Sequence, residues 1–237
     1  MKVLILNSGF GSRMGDLTKE HPKCMTELGD NETIISRQLS ILSELGLNEV
    51  IITTGYFDSV LVDYCRSLGY DLELSFVKNP IYDQTNYIYS IYCARELLLN
   101  EDVILMHGDL VFDKSVLSDM LAFKHSCMKV SSTLPLPEKD FKAVINNGFV
   151  EKVGVEFFDN AMEAQALYKL NKAEWQLWLD KIIEFCEADK RKCYAEVALN
   201  QIAEECKIYA YDVKDRLCAE IDNPDDLEKV KSALTIN

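Results

Sequence analysis

The chain has 237 residues, of which 48% are hydrophobic and 27% are charged. This apolar content is sufficient for a large buried core and excludes an intrinsically disordered chain. The formal net charge of −14 would repel phosphate backbones and anionic lipid, which argues against nucleic-acid and membrane partners.

The first half alternates short apolar runs with segments of helical periodicity, several of which stop at a glycine. The predicted strands are Val3–Asn7, Glu49–Thr53, Leu72–Val77, Asp102–Met106 and Met128–Thr133, and the predicted helices are Thr33–Leu45, Asp58–Leu68, Thr85–Leu99 and Lys114–Lys124. Strands that alternate with helices indicate an α/β fold with a doubly wound, mostly parallel sheet.

The pattern changes after Pro135 and Pro137. Asn147-Gly148 between two apolar runs predicts a β-hairpin with a tight primed turn. Further along, the periodicity predicts helices over Lys172–Ala188, Ala195–Cys206 and Pro224–Leu234 and a strand over Ile208–Val213. We therefore expect a small β-hairpin and helical sub-region beside the main sheet.

The eight cysteines are dispersed, without a C-x-x-C pair, and the three histidines form no H-E-x-x-H motif. Free thiols, a cytoplasmic location and oxygen ligands for any metal are the expectation. No apolar stretch approaches eighteen residues, and Met1–Leu6 leads into a glycine loop, so neither a membrane span nor a signal peptide is predicted.

The glycine loop directly follows the first strand and reads G-F-G-S-R-M from Gly9 to Met14. Backbone N–H groups of such a loop can cradle phosphates, because glycine permits unusual dihedrals and close approach. Met14 stands where a dinucleotide fingerprint has its third glycine, and the Gly-Lys-Ser/Thr ending of a P-loop is missing. The loop alone also fits an ordinary strand-to-helix turn.

The wider stretch Leu4–Met25 adds a Pro22-Lys23 pair after the glycine loop. This arrangement resembles the sugar-phosphate and phosphocholine nucleotidyltransferase family, whose pattern is an apolar strand, A-A-G-x-G-S/T-R-L/M and then P-K. Four later segments fall in family order, namely Gly55-Tyr56, Asn79-Pro80 with Tyr82 and Asn86, His107-Gly108-Asp109, and Glu220-Ile221-Asp222. Asn7-Ser8 replaces the usual Ala-Ala, which is a departure at a point of expected base contact.

The resemblance implies where a nucleoside triphosphate binds. Arg13 would fork onto its β- and γ-phosphates, and Lys23, a compact charge, would face the α-phosphate; both are predicted catalytic residues. The implied nucleotide-binding residues are Leu6, Asn7, Ser8, Gly9, Gly11, Ser12, Gly55, Tyr56 and Asn86.

Asp109 and Asp222 are the metal ligands that the resemblance implies, and Mg²⁺ is the cofactor. Mg²⁺ takes one or two carboxylates together with substrate phosphates and water. Asp109 follows an apolar strand, at the sheet edge where ligands bind in open α/β folds. Taken alone, Asp222 before Asn223-Pro224 also fits a helix N-cap, and Asp109 fits a strand-end turn.

Lys142 and Glu196 are candidates for acceptor binding, again from the resemblance, with a surface lysine and a helix-start glutamate as the alternatives. Tyrosines 82, 87, 89 and 92 could hold a quaternary ammonium by cation–π attraction or form a core-facing stripe.

These observations predict a single nucleotidyltransferase domain over residues 1–237, with a nucleotide-binding core at 1–134 and an acceptor-shaping region with the C-terminal metal aspartate at 135–237. The expected reaction moves CMP from CTP to a small acceptor of the phosphocholine or 2-aminoethylphosphonate type and releases pyrophosphate. A sugar-1-phosphate uridylyl- or thymidylyltransferase and a non-catalytic nucleotide-binding module are the alternatives. A homodimer is left open.

Overall fold

The protein is described here from a computed structural model that covers residues 1–9 and 11–236. The strands are β1 Lys2–Leu6, β2 Glu27–Gly29, β3 Glu32–Thr33, β4 Glu49–Thr54, β5 Glu73–Lys78, β6 Val103–His107, β7 Leu110–Phe112, β8 Cys127–Ser131, β9 Lys142–Asn146, β10 Phe149–Gly154, β11 Ala161–Leu170, β12 Tyr209–Asp212 and β13 Cys218–Glu220. The α-helices are α1 Ile34–Glu44, α2 Asp58–Ser67, α3 Tyr87–Ala94, α4 Lys114–Ala122, α5 Lys172–Glu187, α6 Ala195–Asn200 and α7 Pro224–Ile236. Three 3₁₀ segments lie at Ser12–Thr18, Lys23–Met25 and Arg95–Leu97.

A nine-stranded sheet in the order β5-β4-β1-β6-β11-β8-β12-β10-β9 organises the fold. The strand pairings make β10 and β11 antiparallel to the other seven strands, which share one direction. Strands β1 and β6 are apolar along nearly their whole length and buried, as expected for parallel strands covered on both faces. The predicted α/β fold with a mostly parallel sheet is confirmed.

Apolar side chains fill both faces of this sheet. One cluster places α3 and α5 against it, with Trp175 and Trp178 fully buried. The other packs α1 and α4 on the opposite face, around Leu39 and Val116. Two helix-covered faces leave the carboxyl ends of the central strands as the open edge at which a ligand can approach.

The hairpin after the two prolines is confirmed. Strands β9 and β10 pair antiparallel, and the turn residues Asn147 and Gly148 have φ angles of +52° and +82°. Positive φ at both central positions is the requirement of a type I′ turn, which Asn-Gly meets with little strain.

Strand β11 was not predicted, although it lies between β6 and β8 near the middle of the sheet. Its sequence, A-M-E-A-Q-A-L-Y-K-L, is rich in helix-forming residues. Pairing on both sides satisfies its backbone groups, and eight consecutive residues from Glu163 to Leu170 are buried. Tertiary packing here overrides local propensity.

Two predicted helices were too long. The helix expected over Thr85–Leu99 begins only after Asn86, whose extended backbone and side-chain oxygen cap it, and gives way to a 3₁₀ turn at Arg95. The helix expected over Ala195–Cys206 ends at Asn200, whose side-chain amide bonds to both the N–H and the carbonyl of Val153.

All eight cysteine thiols are free. In the part of the chain that the structure describes, none of the helices combines the length and the apolar character needed to cross a bilayer.

Strands from both sides of residue 134 enter the same sheet. The division of function between residues 1–134 and 135–237 stays a prediction.

Candidate active site

A cavity of about 440 Å³ opens at the carboxyl ends of β1 and β6. It is lined by three groups of residues: the glycine loop with Pro22–Cys24, the turn before α3, and the segments around Asp109, Phe141 and Asp222. Of the predicted site residues it contains Leu6, Asn7, Ser8, Gly9, Gly11, Ser12, Arg13, Lys23, Asn86, Asp109 and Asp222.

Two glycines allow the loop to pack tightly. Gly11 has a φ of +65°, and a Cβ there would lie 2.9 Å from Cβ of Lys23. A Cβ on Gly55, at the end of β4, would lie 2.3 Å from the carbonyl oxygen of Ser8. These residues bring the loop against Lys23 and against the β4–α2 turn. Phe10, part of the predicted loop motif, lies outside the described residues.

The ammonium of Lys23 lies between the two predicted metal ligands. Its Nζ donates to Oδ1 of Asp222 at 2.7 Å and makes a closer ion pair with Asp109. The guanidinium of Arg13 reaches Oδ2 of Asp222 at 2.8 Å. Burial alone would lower the pKa of Lys23, but attraction to the two carboxylates is stronger and raises it above the ordinary value. Lys23 is therefore a fixed positive charge.

The backbone explains how two aspartates so distant in sequence meet. Asp109 occupies the turn between β6 and β7, and Asp222 follows β13. Strands β7 and β13 pair antiparallel, and the N–H of Ile221 donates to the carbonyl of Asp109 at 3.0 Å. This two-stranded sheet sets the distance between the two carboxylates.

His107 and Glu220 form a second buried ion pair beside the first, with Nδ1 of His107 2.9 Å from Oε1 of Glu220. Burial lowers the pKa of His107, but the hydrogen bond and the charge of Glu220 outweigh it and raise the pKa to about 9. The imidazole is thus a cation near neutral pH, and it adds to the positive charges of Arg13 and Lys23.

The oxygen atoms present suit a divalent metal ion. Oδ1 of Asp109 is buried and has no hydrogen-bond partner among the described residues. Ligand atoms of Asp140, Glu220 and Asp222 lie within 4.8 Å of one another, as do those of Asp109 and Glu220. Carboxylates are the ligands that Mg²⁺ prefers, so Asp109 and Asp222 fit the predicted site, and Asp140 and Glu220 extend it.

Aromatic rings enclose another part of the cavity. The ring of Tyr87 lies 4.7 Å from His107 and 5.9 Å from Tyr194, and Phe141 lies 5.1 Å from Tyr194. Behind Tyr87, both carboxylate oxygens of the buried Glu196 accept hydrogen bonds, from the hydroxyl groups of Tyr87 and Tyr168. A cation in this part of the cavity would meet ring faces and nearby negative charge.

Four predicted contact residues do not line the cavity, namely Gly55, Tyr56, Lys142 and Glu196. Glu196 stands behind Tyr87, and Gly55 packs on Ser8. Tyr56, with 61% of its surface exposed, has its ring 6.4 Å from that of Tyr82, which lines the cavity. Any contact of these residues with a ligand stays a prediction.

Lys142 was predicted to bind the acceptor, with a surface lysine as the alternative. Its side chain is buried, and its Nζ donates to the carbonyls of Pro137 and Asp140 at 2.6 and 3.1 Å and lies 4.2 Å from the ring centre of Phe158. The ammonium thus holds the segment that carries Asp140 and Phe141, and acceptor binding by Lys142 stays a prediction.

The tyrosine group divides into two. Tyr82 and Tyr87 line the cavity. Tyr89 and Tyr92 stack on each other at 5.6 Å and meet the guanidinium groups of Arg191 and Arg95. The protein's own arginines thus occupy the aromatic faces of the second pair.

Sequence reasoning missed His107, Asp140, Phe141, Tyr194 and Glu220 as cavity residues. His107 and Glu220 stand two positions before the predicted metal ligands, and alternation along a strand could have placed each beside its aspartate. Asp140, Phe141 and Tyr194 lie in irregular segments, and no local signal marks them.

This fold and this arrangement of charges define a nucleotidyltransferase. Residues 3–130, more than half of the chain, match the family described as the MobA-like NTP transferase domain, and the chain belongs to that family. It is an enzyme of the nucleotidyltransferase class.

Two named relatives and one solved structure are similar to this chain. The chain is 31% identical over 204 residues to the CTP:phosphoglutamine cytidylyltransferase of Campylobacter jejuni, covering 79% of this chain and 78% of that protein. It is 26% identical over 166 residues to the CMP-5'-(3-aminopropyl)phosphonate synthase of Streptomyces rubellomurinus, covering 70% of this chain but only 26% of that longer protein. The solved structure of the CTP:phosphocholine cytidylyltransferase from Streptococcus pneumoniae superimposes with a TM-score of 0.75 at 20% identity over 98% of both chains, which shows a shared fold.

Proposed function

We propose that this enzyme transfers CMP from CTP to a small phosphate- or phosphonate-bearing acceptor that also carries an amine, releases pyrophosphate and requires Mg²⁺. The observation that carries the proposal is the Lys23 ammonium between Asp109 and Asp222, with Arg13 on the second carboxylate. The two relatives named for CTP, phosphoglutamine and aminopropylphosphonate support the choice of base and of acceptor class.

The reaction needs no covalent intermediate. An oxygen of the acceptor forms a bond to the α-phosphorus, the bond from that phosphorus to the bridging oxygen breaks, and pyrophosphate leaves with the electron pair. Positioning and charge stabilisation are sufficient for this displacement. Cys24, next to Lys23, is no nucleophile, because burial raises the pKa of its thiol well above the ordinary value.

The cations have separate tasks in this scheme. Lys23, fixed and charged, would face the α-phosphoryl group, and Arg13, whose side chain is 66% exposed at the mouth, would meet the β- and γ-phosphates. Asp109 and Asp222 would hold Mg²⁺, which supplies charge neutralisation on the phosphates when bound.

The aromatic part of the cavity supports an acceptor with a cationic amine. The rings of Tyr87, Phe141 and Tyr194 offer π faces, and Glu196 provides negative charge behind Tyr87. The uncharged sugar of a sugar phosphate would gain nothing from this charge, which favours amine-bearing acceptors over sugar phosphates.

The test is pyrophosphate release with Mg²⁺, across CTP, UTP, dTTP, ATP and GTP against phosphocholine, 2-aminoethylphosphonate, phosphoglutamine and glucose-1-phosphate. Release with CTP and an amine-bearing acceptor is expected, and Asp222→Ala serves as the inactive control. Release with UTP or dTTP and glucose-1-phosphate alone would instead establish a sugar-1-phosphate nucleotidyltransferase.

A further inference from the structure

The side-chain amide of Gln38 donates two hydrogen bonds to the turn that carries Asp109. Gln38 lies on α1 with 1% of its surface exposed. Its Nε2 donates to the carbonyl of His107 at 3.0 Å and to the carbonyl of Leu110 at 2.8 Å. These two carbonyls flank Gly108-Asp109, so one amide group spans the whole turn.

The turn is also anchored by backbone bonds from two other sides. The N–H of Gly108 donates to the carbonyl of Leu6 on β1, and the carbonyl of Asp109 accepts from Ile221, next to Asp222. Gln38 adds the connection to α1. With these anchors the Asp109 carboxylate is held against Lys23, while its Oδ1 has no hydrogen-bond partner within residues 1–9 and 11–236.

Packing alone does not explain a glutamine here. Oε1 of Gln38 is buried and has no hydrogen-bond partner among the described residues, which costs free energy that an apolar side chain would avoid. The two carbonyls require that the NH₂ group faces them, which fixes the orientation of the amide. What the glutamine contributes is therefore its two donated hydrogen bonds.

We propose that Gln38 is a positioning residue for Asp109: its two hydrogen bonds hold the carboxylate in the orientation that binds a divalent cation. The inference rests on the proposed metal role of Asp109. Gln38 itself does not line the cavity, and its amide contacts the backbone carbonyls of His107 and Leu110, so it acts through the turn. Groups behind metal ligands commonly set the orientation and affinity of the site in this way.

Gln38→Met is the informative variant, because methionine nearly keeps the volume and removes both donors. Gln38→Asn is the second variant, since its shorter side chain cannot span both carbonyls. Leu42→Ala is the control: Leu42 is fully buried on the same helix, so its truncation should destabilise the protein without touching the turn.

The readout is Mn²⁺ affinity of the nucleotide-free protein, measured by electron paramagnetic resonance at a temperature where circular dichroism shows every variant folded. We expect about tenfold weaker binding for Gln38→Met and a clear loss for Gln38→Asn, with wild-type affinity for Leu42→Ala. In turnover assays kcat should fall while KM for the nucleotide stays within about twofold.

Wild-type Mn²⁺ affinity in both Gln38 variants, alongside a loss in Asp109→Ala, would overturn this proposal and leave the proposed function standing. An equal loss in Leu42→Ala would also overturn it, because the effect would then follow stability. If Asp109→Ala itself binds Mn²⁺ like the wild type, the metal assignment falls and this proposal with it.

Discussion

The Nζ atom of Lys23 lies 2.7 Å from Oδ1 of Asp222, although 199 positions separate the two residues. The carboxylate of Asp109 contacts the same ammonium. A lysine here shields two acidic groups that would otherwise repel each other in a half-buried site. In the proposed function a metal ion binds the same two carboxylates, so Lys23 and the metal would share them, which leads to the predictions that follow.

Asp109→Ala and Asp222→Ala should each lower kcat by about 100-fold or more, because each removes charge stabilisation at the reacting phosphates. Steady-state pyrophosphate release measures the loss, and circular dichroism checks the fold. Asp225→Ala is the matched control, since Asp225 is exposed in the first turn of α7. Substantial activity in both variants would remove the two aspartates from the metal site.

Lys23→Met should have two opposite effects. Turnover should fall by about 100-fold, since a cation at the α-phosphate is lost. Affinity of the nucleotide-free protein for Mn²⁺ should rise, since the two carboxylates are freed from the ammonium. Lys19→Met, which changes an exposed lysine paired with Asp16, should alter neither quantity. Unchanged turnover in Lys23→Met would exclude Lys23 from the transition state.

Gly108→Ala should destabilise the protein by about 1–3 kcal/mol, because the new Cβ would lie 1.7 Å from Oδ1 of Asn7. Asn7→Ala, which restores an alanine of the family pattern, should rescue it. Chemical denaturation of both single variants and the double variant tests this through a double-mutant cycle, with a coupling of at least about 1 kcal/mol expected.

Gly55→Ala should not be rescued by Asn7→Ala, in contrast to Gly108→Ala. The Cβ there would meet the backbone carbonyl of Ser8, which no side-chain substitution removes. Asn7→Ala should therefore leave the stability of Gly55→Ala unimproved. For the Gly108→Ala and Asn7→Ala pair, additive changes in the free energy of unfolding would contradict the predicted coupling. They would show that the Asn7 amide moves aside freely.

Glu196→Gln should raise KM for an amine-bearing acceptor by about tenfold, equivalent to about 1.4 kcal/mol. The variant removes a buried negative charge and one of the two oxygens that hold Tyr87 and Tyr168. KM for an acceptor with an uncharged tail, such as ethyl phosphate, should change much less. Glu204→Gln, an exposed position, is the control. Equal changes for both acceptors would argue against cation recognition.

Local sequence was sufficient where the signal is local. The conformations of strand β1 and of the Asn147-Gly148 turn could be predicted from the sequence. Hydrophobic periodicity and turn chemistry act within a few residues, so both signals are local. Gly9, Gly11, Arg13 and Lys23 lie within one short stretch, so this part of the cavity lining could be predicted.

The tertiary structure decided what depends on distant segments. It made β11 a central strand and put Glu196 behind Tyr87. It also set Gln38 against the Asp109 turn. The residue types that carry the chemistry are thus visible in the sequence, but their partners are not. Hydrogen bonds of buried side chains choose those partners, across 109 positions for Tyr87 and Glu196 and across 69 for Gln38 and His107, and these bonds depend on the packed sheet.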